Sequence, residues 1–305
     1  MVISNQNKAY FFAATAIFFW STVATAFKLS LEYLEPVQLV FYATIFSVLV
    51  LFFILLFQGK LKLIRRFTME SLLRCVLLAI LNPCLYYIIL LHAYDILPAQ
   101  EAMAINYSWV VMMVILSIPI LKQKIGIKAF LSIIISYIGV IVIATNGDLF
   151  SLQFDNSQGV IYALITTVIW ALFWLFNTKH KNDTVVSLFL IFLFSLPFIV
   201  IAVFYSSTFV IPSMYGLLGA VYVGLFEMGI TFVVWQSALR MTSNVAKVTS
   251  LVFITPFLSL LIIQLFLREV ILTSTVVGIV LIIFGLLLQK FFTKRSTKPS
   301  YLDGS

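Results

Sequence analysis

Charge is scarce in this chain. Of its 305 residues only 10% are Asp, Glu, Lys or Arg, against 63% hydrophobic. A water-soluble fold could not hide that much apolar surface, which excludes a soluble domain. Histidine is nearly missing: His92 and His180 are the two. Neither has a metal or triad partner nearby in sequence, and no HExxH, phosphate-cradling Gly-rich loop or GxSxG run occurs. The chain is therefore expected not to be an enzyme and to need no metal or cofactor. Cys75 and Cys84 are the two cysteines, and both fall in one apolar stretch, which predicts no disulfide.

What fills the chain instead is a series of ten long apolar stretches. A helix needs roughly 20 apolar residues to cross a bilayer. Such spans are predicted at 10–29, 37–57, 72–94, 98–121, 127–145, 159–177, 185–205, 214–239, 244–267 and 273–292. The connections are too short for an extramembrane catalytic domain. The fold class expected is all-α, a polytopic membrane protein of ten transmembrane helices. Ala24-Thr25-Ala26 resembles a signal-peptide cleavage site, but removal of the first span would leave nine helices, and the span is expected to be retained.

The net charge of +8 is a topology signal rather than a nucleic-acid one. Alternate connections, together with both tails, carry 17 of the 19 basic residues. The remaining connections carry only Lys28 and Arg268, with Glu32, Glu35, Asp95, Asp148, Asp155 and Glu269. The positive-inside rule then places both termini in the cytoplasm of a bacterial cytoplasmic (inner) membrane protein.

The chain also repeats itself. AYDILPAQEAMAINYSWVVMMVILSIPILKQKIG, from Ala93, lies over ALRMTSNVAKVTSLVFITPFLSLLIIQLFLREVI, from Ala238, each with a helix, a short polar link, a second helix and a charged end. FFWSTVATAFK at Phe18–Lys28 resembles VIWALFWLFNTK at Val168–Lys179. Each half holds five helices, an odd number, so the halves are expected to be inverted: 9–146, then 157–292, then a cytoplasmic tail at 293–305. Inverted repeats belong to alternating-access transporters, with the substrate near the midplane.

Polar residues within spans are the candidate site. Glu227 stands near the middle of the eighth span, about a dozen residues from either end. An ionised side chain at that depth costs roughly 2.5–3.5 kcal/mol. It stays protonated and bonded to a neighbouring helix, or it meets a cation in a wet cavity. Thr231 lies one helical turn away, and Gly216, Ala220 and Gly224 form a small-residue row compatible with close helix approach or with a homodimer. Glu101, Asn106, Tyr107 and Trp109 share the fourth span; by position alone Glu101 reads as an interfacial carboxylate. Trp170, Trp174 and Asn177 share a face of the sixth, with Trp20 matching in the first. Lys28 reads as a snorkelling end residue. Lys247, with Asn244 and Ser250 on its face, reads either as an anion contact or as a headgroup contact. Asn82-Pro83, Pro197 and Pro256 are expected to break or kink their helices.

These features resemble the drug/metabolite transporter superfamily, in its EamA-domain branch, over essentially 10–292. AQEAMAINYSWVVM at Ala99–Met112 is similar to the A-I-E-V-x-x-x-N-Y-L-W-P run of bacterial aromatic amino-acid exporters, with Glu101, Asn106, Tyr107 and Trp109 on the pattern and Val110 in place of its proline. VTSLVFITPFLSLLI at Val248–Ile262 and FEMGITFVVWQSAL at Phe226–Leu239 resemble the ninth and eighth helices of the family. The resemblance implies a central cavity between the halves and export of a small metabolite. It brings Glu101 into the candidate substrate set with Trp20, Asn106, Tyr107, Trp109, Trp170, Trp174, Glu227, Thr231, Lys247 and Ser250. A zwitterion such as an amino acid would need one acceptor, Glu227 or Glu101, and one donor, Asn106, Tyr107 or Lys247. An antiporter of anionic or nucleotide-linked metabolites would want converging cations, and Lys28 and Lys247 lie toward opposite faces. A non-transporting sensor or assembly subunit lacks a soluble module to pass a signal on. The partners expected are a small-molecule substrate and membrane lipids, not nucleic acid.

Overall fold

A computed structural model describes residues 5–121, 126–148, 156–177, 182–242, 248 and 251–292. Among the described residues every regular element is helical. In chain order these are α1 (Gln6–Leu31), α2 (Pro36–Phe57), α3 (Met69–Ile96), α4 (Ala99–Leu121), α5 (Phe130–Ala144), α6 (Ser157–Asn177), α7 (Thr184–Ser206), α8 (Met214–Met241), α9 (Leu251–Leu267) and α10 (Thr273–Phe292). Eight are long and apolar enough to cross a membrane; α5 and α9 are the shorter two. The chain is thus an integral membrane protein.

Hydrocarbon offers no water to unsatisfied backbone groups, so helix ends must be finished by the chain itself. Thr68 accepts from Ser71 N at 3.2 Å before α3. Asp183 accepts from Val185 N and Val186 N at 3.0 and 3.3 Å before α7. Ser213 accepts from Gly216 N at 3.2 Å before α8. Pro36 opens α2, where its missing N–H costs nothing.

The expected break in α3 is present, while α8, α9 and α7 depart from the sequence expectation. α3 is interrupted at Asn82, whose backbone is extended (φ −146°, ψ 124°) before Pro83. α8 carries a wide π turn over Val223–Glu227 and a break at Gly229 (φ −120°, ψ −89°). The i, i+4 register between Glu227 and Thr231 is therefore lost. In α9 Pro256 does not kink the helix; it starts it, at the first turn of the α-helical stretch Thr255–Leu267. The stretch before it, Leu251–Ile254, is a tighter 3-10 turn, and 243–247 lie outside the described residues. Pro197, expected to break its helix, sits inside an uninterrupted α7.

Packing pairs α5 with α10, α2 with α7, and α1 with both α9 and the second half of α8, while α6 takes the second halves of α3 and α4. The row Gly216, Ala220, Gly224 is used inside the chain. A Cβ on Gly216 would lie 3.1 Å from Leu34, and one on Gly224 would lie 2.8 Å from the Phe46 Cβ. The row thus seats α8 on the α1–α2 hairpin.

Two ends of the bundle are distinguished by their hydrogen bonds. At the acidic end, Glu269 accepts from Ala99 N at 2.8 Å and Gln100 N at 3.2 Å, filling the free donors that open α4. Gln100 returns the contact, donating to Val270 O and accepting from Leu272 N, both at 2.9 Å. Lys28 does not snorkel to a free interface: its Nζ donates to Tyr94 O at 2.6 Å in the last turn of α3. Gln38 Nε2 donates to Thr208 O at 2.9 Å, tying the first turn of α2 to the α7–α8 connection. At the opposite, basic end, Lys60 Nζ meets Asp183 Oδ2 at 2.9 Å. Burial pushes the Asp183 carboxyl up, but Lys60 and the N–H groups of Val186 and Val185 outweigh it and hold the group below its ordinary value.

Candidate functional site

Between these ends lies a cavity of about 520 Å³. It runs from Phe27 and Tyr94, near the acidic end, to Gln289 and Lys290, in the last turn of α10 at the basic end. Its lining is mostly aromatic and aliphatic, with few polar groups. Apolar walls with a small number of placed polar groups are the usual construction of a small-molecule site.

Glu227 is the carboxylate on this lining among the described residues. It is 8% exposed, carried at the end of the π turn of α8. Tyr87, fully buried in α3, donates its hydroxyl to Glu227 Oε1 at 2.9 Å. Oε2 has no hydrogen-bond partner among the described residues. One oxygen is thus anchored and the other is left for something else. Tyr87 follows the Asn82 break by a little over one turn, so the interruption of α3 sets the direction of the segment that holds Glu227.

Beside it runs a second polar chain. Tyr86 donates to Asn106 Oδ1 at 3.3 Å, and Asn106 Nδ2 donates to Thr166 Oγ1 at 2.8 Å, tying α3, α4 and α6 together. Asn106 is the last residue of the first α-helical segment of α4, and Tyr107 caps that segment. Tyr107 donates to Val252 O at 2.5 Å, bridging α4 to the 3-10 turn of α9. Asn106→Ala removes both Asn106 bonds while leaving apolar packing largely intact. Transport by this variant is expected to fall about tenfold at unchanged folded yield, the worth of one or two such bonds. Unchanged flux in Asn106→Ala and in the double variant with Tyr107→Ala would remove this pair from the site.

Of the residues singled out in the sequence, Trp20, Asn106, Tyr107, Trp109, Trp170, Trp174 and Glu227 line the cavity together. Glu101 does not. It is 3% exposed, in the first turn of α4, and packed rather than interfacial. Thr231 is buried too, and its hydroxyl donates to Phe226 O within α8 instead of facing the cavity. Lys247 and Ser250 lie outside the described residues. Cys75 and Cys84 are free and buried.

Sequence reading missed Tyr86, Tyr87, Phe232 and Trp235. Trp235 lines the cavity from α8. Phe232 packs between Trp174 and Trp20, with centroids 6.0 and 6.1 Å away. The one signal for the tyrosines was their place just after the Asn82-Pro83 interruption, but which residue meets Glu227 depends on how α3 and α8 are set against each other.

The comparisons agree with this architecture. A protein from Acidianus ambivalens described as an uncharacterized transporter in the sor 3' region is 28% identical over 223 residues, covering 70% of this chain and 82% of that relative. A solved crystal structure of a protein 18% identical covers 95% of this chain and 99% of its own, with a TM-score of 0.66, which shows a shared fold. The EamA-like transporter family model matches residues 7–145 and again 157–289. With nearly the whole chain matched and a bundle of membrane helices around a central cavity, this protein belongs to the EamA-like transporter family.

Proposed function

We propose that this transporter exports a small zwitterionic metabolite, an amino acid or a close relative, across the bacterial cytoplasmic membrane by alternating access. The observation that carries the reading is the cavity itself: a mid-bundle carboxylate, Glu227, with one oxygen anchored by Tyr87 and the other unpartnered, surrounded by aromatic walls. The ammonium of the substrate is assigned to Glu227, and its carboxylate points toward Lys290 at the basic end. Energy comes from an ion gradient or from the substrate's own gradient.

In this reading the chain crosses the membrane ten times, in two five-helix halves of opposite orientation joined near 147–156. The two separate matches of the family model, 7–145 and 157–289, support it. The basic end faces the cytoplasm, and both termini lie there. The hydrogen bonds of Glu269, Gln100 and Lys28 then close the outer side, and the cavity reaches toward the inner one. Two measurements test this. A C-terminal reporter active only in the cytoplasm should be active, and one active only outside it should be silent; the reverse would overturn the topology. Purified protein in liposomes should move labelled amino acids down an imposed gradient, whereas ligand binding without flux would make it a receptor.

A further inference from the structure

Every tryptophan of the chain lines one space. The sequence holds five, and Trp20, Trp109, Trp170, Trp174 and Trp235 all belong to the cavity wall. Membrane proteins ordinarily place their indoles in belts at the headgroups. Here they form a connected set. Trp109 and Trp174 each meet Trp170 edge to face, at 6.3 and 6.0 Å between centroids. Phe232 links Trp174 to Trp20, and Trp20 meets Trp235 at 5.4 Å.

Indole faces are negative and attract cations. One such contact is worth about two- to thirtyfold in affinity, the upper figure when the cation is desolvated. The charge opposite them is also negative: Glu227, with Oε2 unpartnered among the described residues. The site is therefore built for a cation, and its wall of indole rings, with Glu227 as its one carboxylate among the described residues, says which kind. A primary ammonium is compact, strongly hydrated and brings three N–H donors. Each one stripped of water without an acceptor costs about five- to a hundredfold in binding. Beside Glu227 Oε2 the lining offers, among the described residues, only neutral acceptors, hydroxyl and amide oxygens such as those of Ser259, Tyr94 and Asn106, and the Asn106 oxygen already accepts from Tyr86. A fully alkylated ammonium has no N–H to satisfy, presents methyl groups to the rings and keeps its charge at any pH.

We propose that the cavity recognises its substrate through a quaternary ammonium head group, seated among the five tryptophans with Glu227 as its counter-charge. This rests on the cavity being the transport site and narrows the cationic end of the zwitterion to its methylated form.

Because all five indoles line the cavity, the intrinsic tryptophan emission of the unmodified protein reports binding directly. Three probes share one skeleton: choline, ethanolamine and the uncharged isostere 3,3-dimethylbutan-1-ol. Glycine betaine and glycine form a second pair. Choline and glycine betaine are expected to change the emission and to bind about tenfold or more tighter than ethanolamine and glycine. The uncharged isostere should bind about tenfold or more weakly than choline, and Glu227→Gln should weaken choline by a similar factor. Equal or tighter binding of either primary amine, equal binding of the isostere, or no emission change with choline and glycine betaine would overturn the proposal. Amino-acid flux in liposomes without choline or betaine binding would overturn it and leave the transport reading standing. Tight choline and betaine binding without flux of any probe would support it and remove the transport reading.

Discussion

Replacing Glu227 with glutamine is expected to leave the protein inserted and folded, yet to cost it pH-dependent transport. The amide keeps the shape of the carboxylate and an oxygen that can accept the Tyr87 hydroxyl, now at 2.9 Å. It removes the charge opposite the cavity. A hydrogen bond to a charged group is worth about 1.5–3 kcal/mol, so substrate flux should fall roughly ten- to a hundredfold. Whatever residual flux remains should no longer respond to pH through this group. Flux into liposomes between pH 5.5 and 8.5, with folded yield measured alongside, checks both parts. If the glutamine variant keeps wild-type flux and an unaltered pH profile, Glu227 is a structural hydrogen-bonding group and its role in coupling is lost.

The second large effect is on stability and falls at residues outside the cavity lining. Gly139 of α5 and Gly278 of α10 face each other. A Cβ on Gly278 would run into Ile143 and lie 2.6 Å from the Gly139 carbonyl oxygen. One on Gly139 would lie 2.9 Å from the Leu281 Cβ and 3.0 Å from Ile282 N. Nearby, Ser136 donates to Ile282 O at 3.1 Å, so the two backbones are within hydrogen-bonding reach. Lipid competes for apolar surface as well as any helix does, so this pair is held by close van der Waals approach. Gly278→Leu should force the helices apart at a cost of about 1–3 kcal/mol or more. A lowered unfolding midpoint in detergent is the expected result. A wild-type midpoint would mean that α5 and α10 can separate without loss.

Much of the membrane character was legible in the sequence. Sixty-three per cent hydrophobic residues with 10% charge leave the bilayer as the only solvent that suits such a chain. Helix periodicity and length then place most spans, because a bilayer sets a minimum of about 20 residues whatever the tertiary packing. Glu227 stood out for the same reason: a carboxylate far from either end of its span is costly enough to be noticed without knowing its neighbours. Trp20 and Trp170 were visible as a pattern because they occupy matching places in the two repeats, Trp174 because it shares a face with Trp170, and Trp109 through the resemblance of the fourth span.

What only the tertiary structure decided is which side chains meet. Thr231 looked like a partner of Glu227 at one-turn spacing, but a π turn and the Gly229 break shift the register, and Thr231 bonds to its own helix. Glu101 looked interfacial by position and site-forming by resemblance. It is buried and outside the cavity lining, while the nearby α4 end donors of Ala99 and Gln100 are met by Glu269, 170 and 169 residues further along the chain. Lys28 could reach headgroups by length alone and instead holds the end of α3. Tyr87 was marked in the sequence only by its place after the Asn82-Pro83 interruption, yet its hydroxyl anchors Glu227. Periodicity and transfer energy are properties of a single helix and can be read along the chain. A cavity belongs to the rotation and depth of several helices at once, and those are set by small-residue contacts and helix breaks whose partners lie a hundred or more residues away.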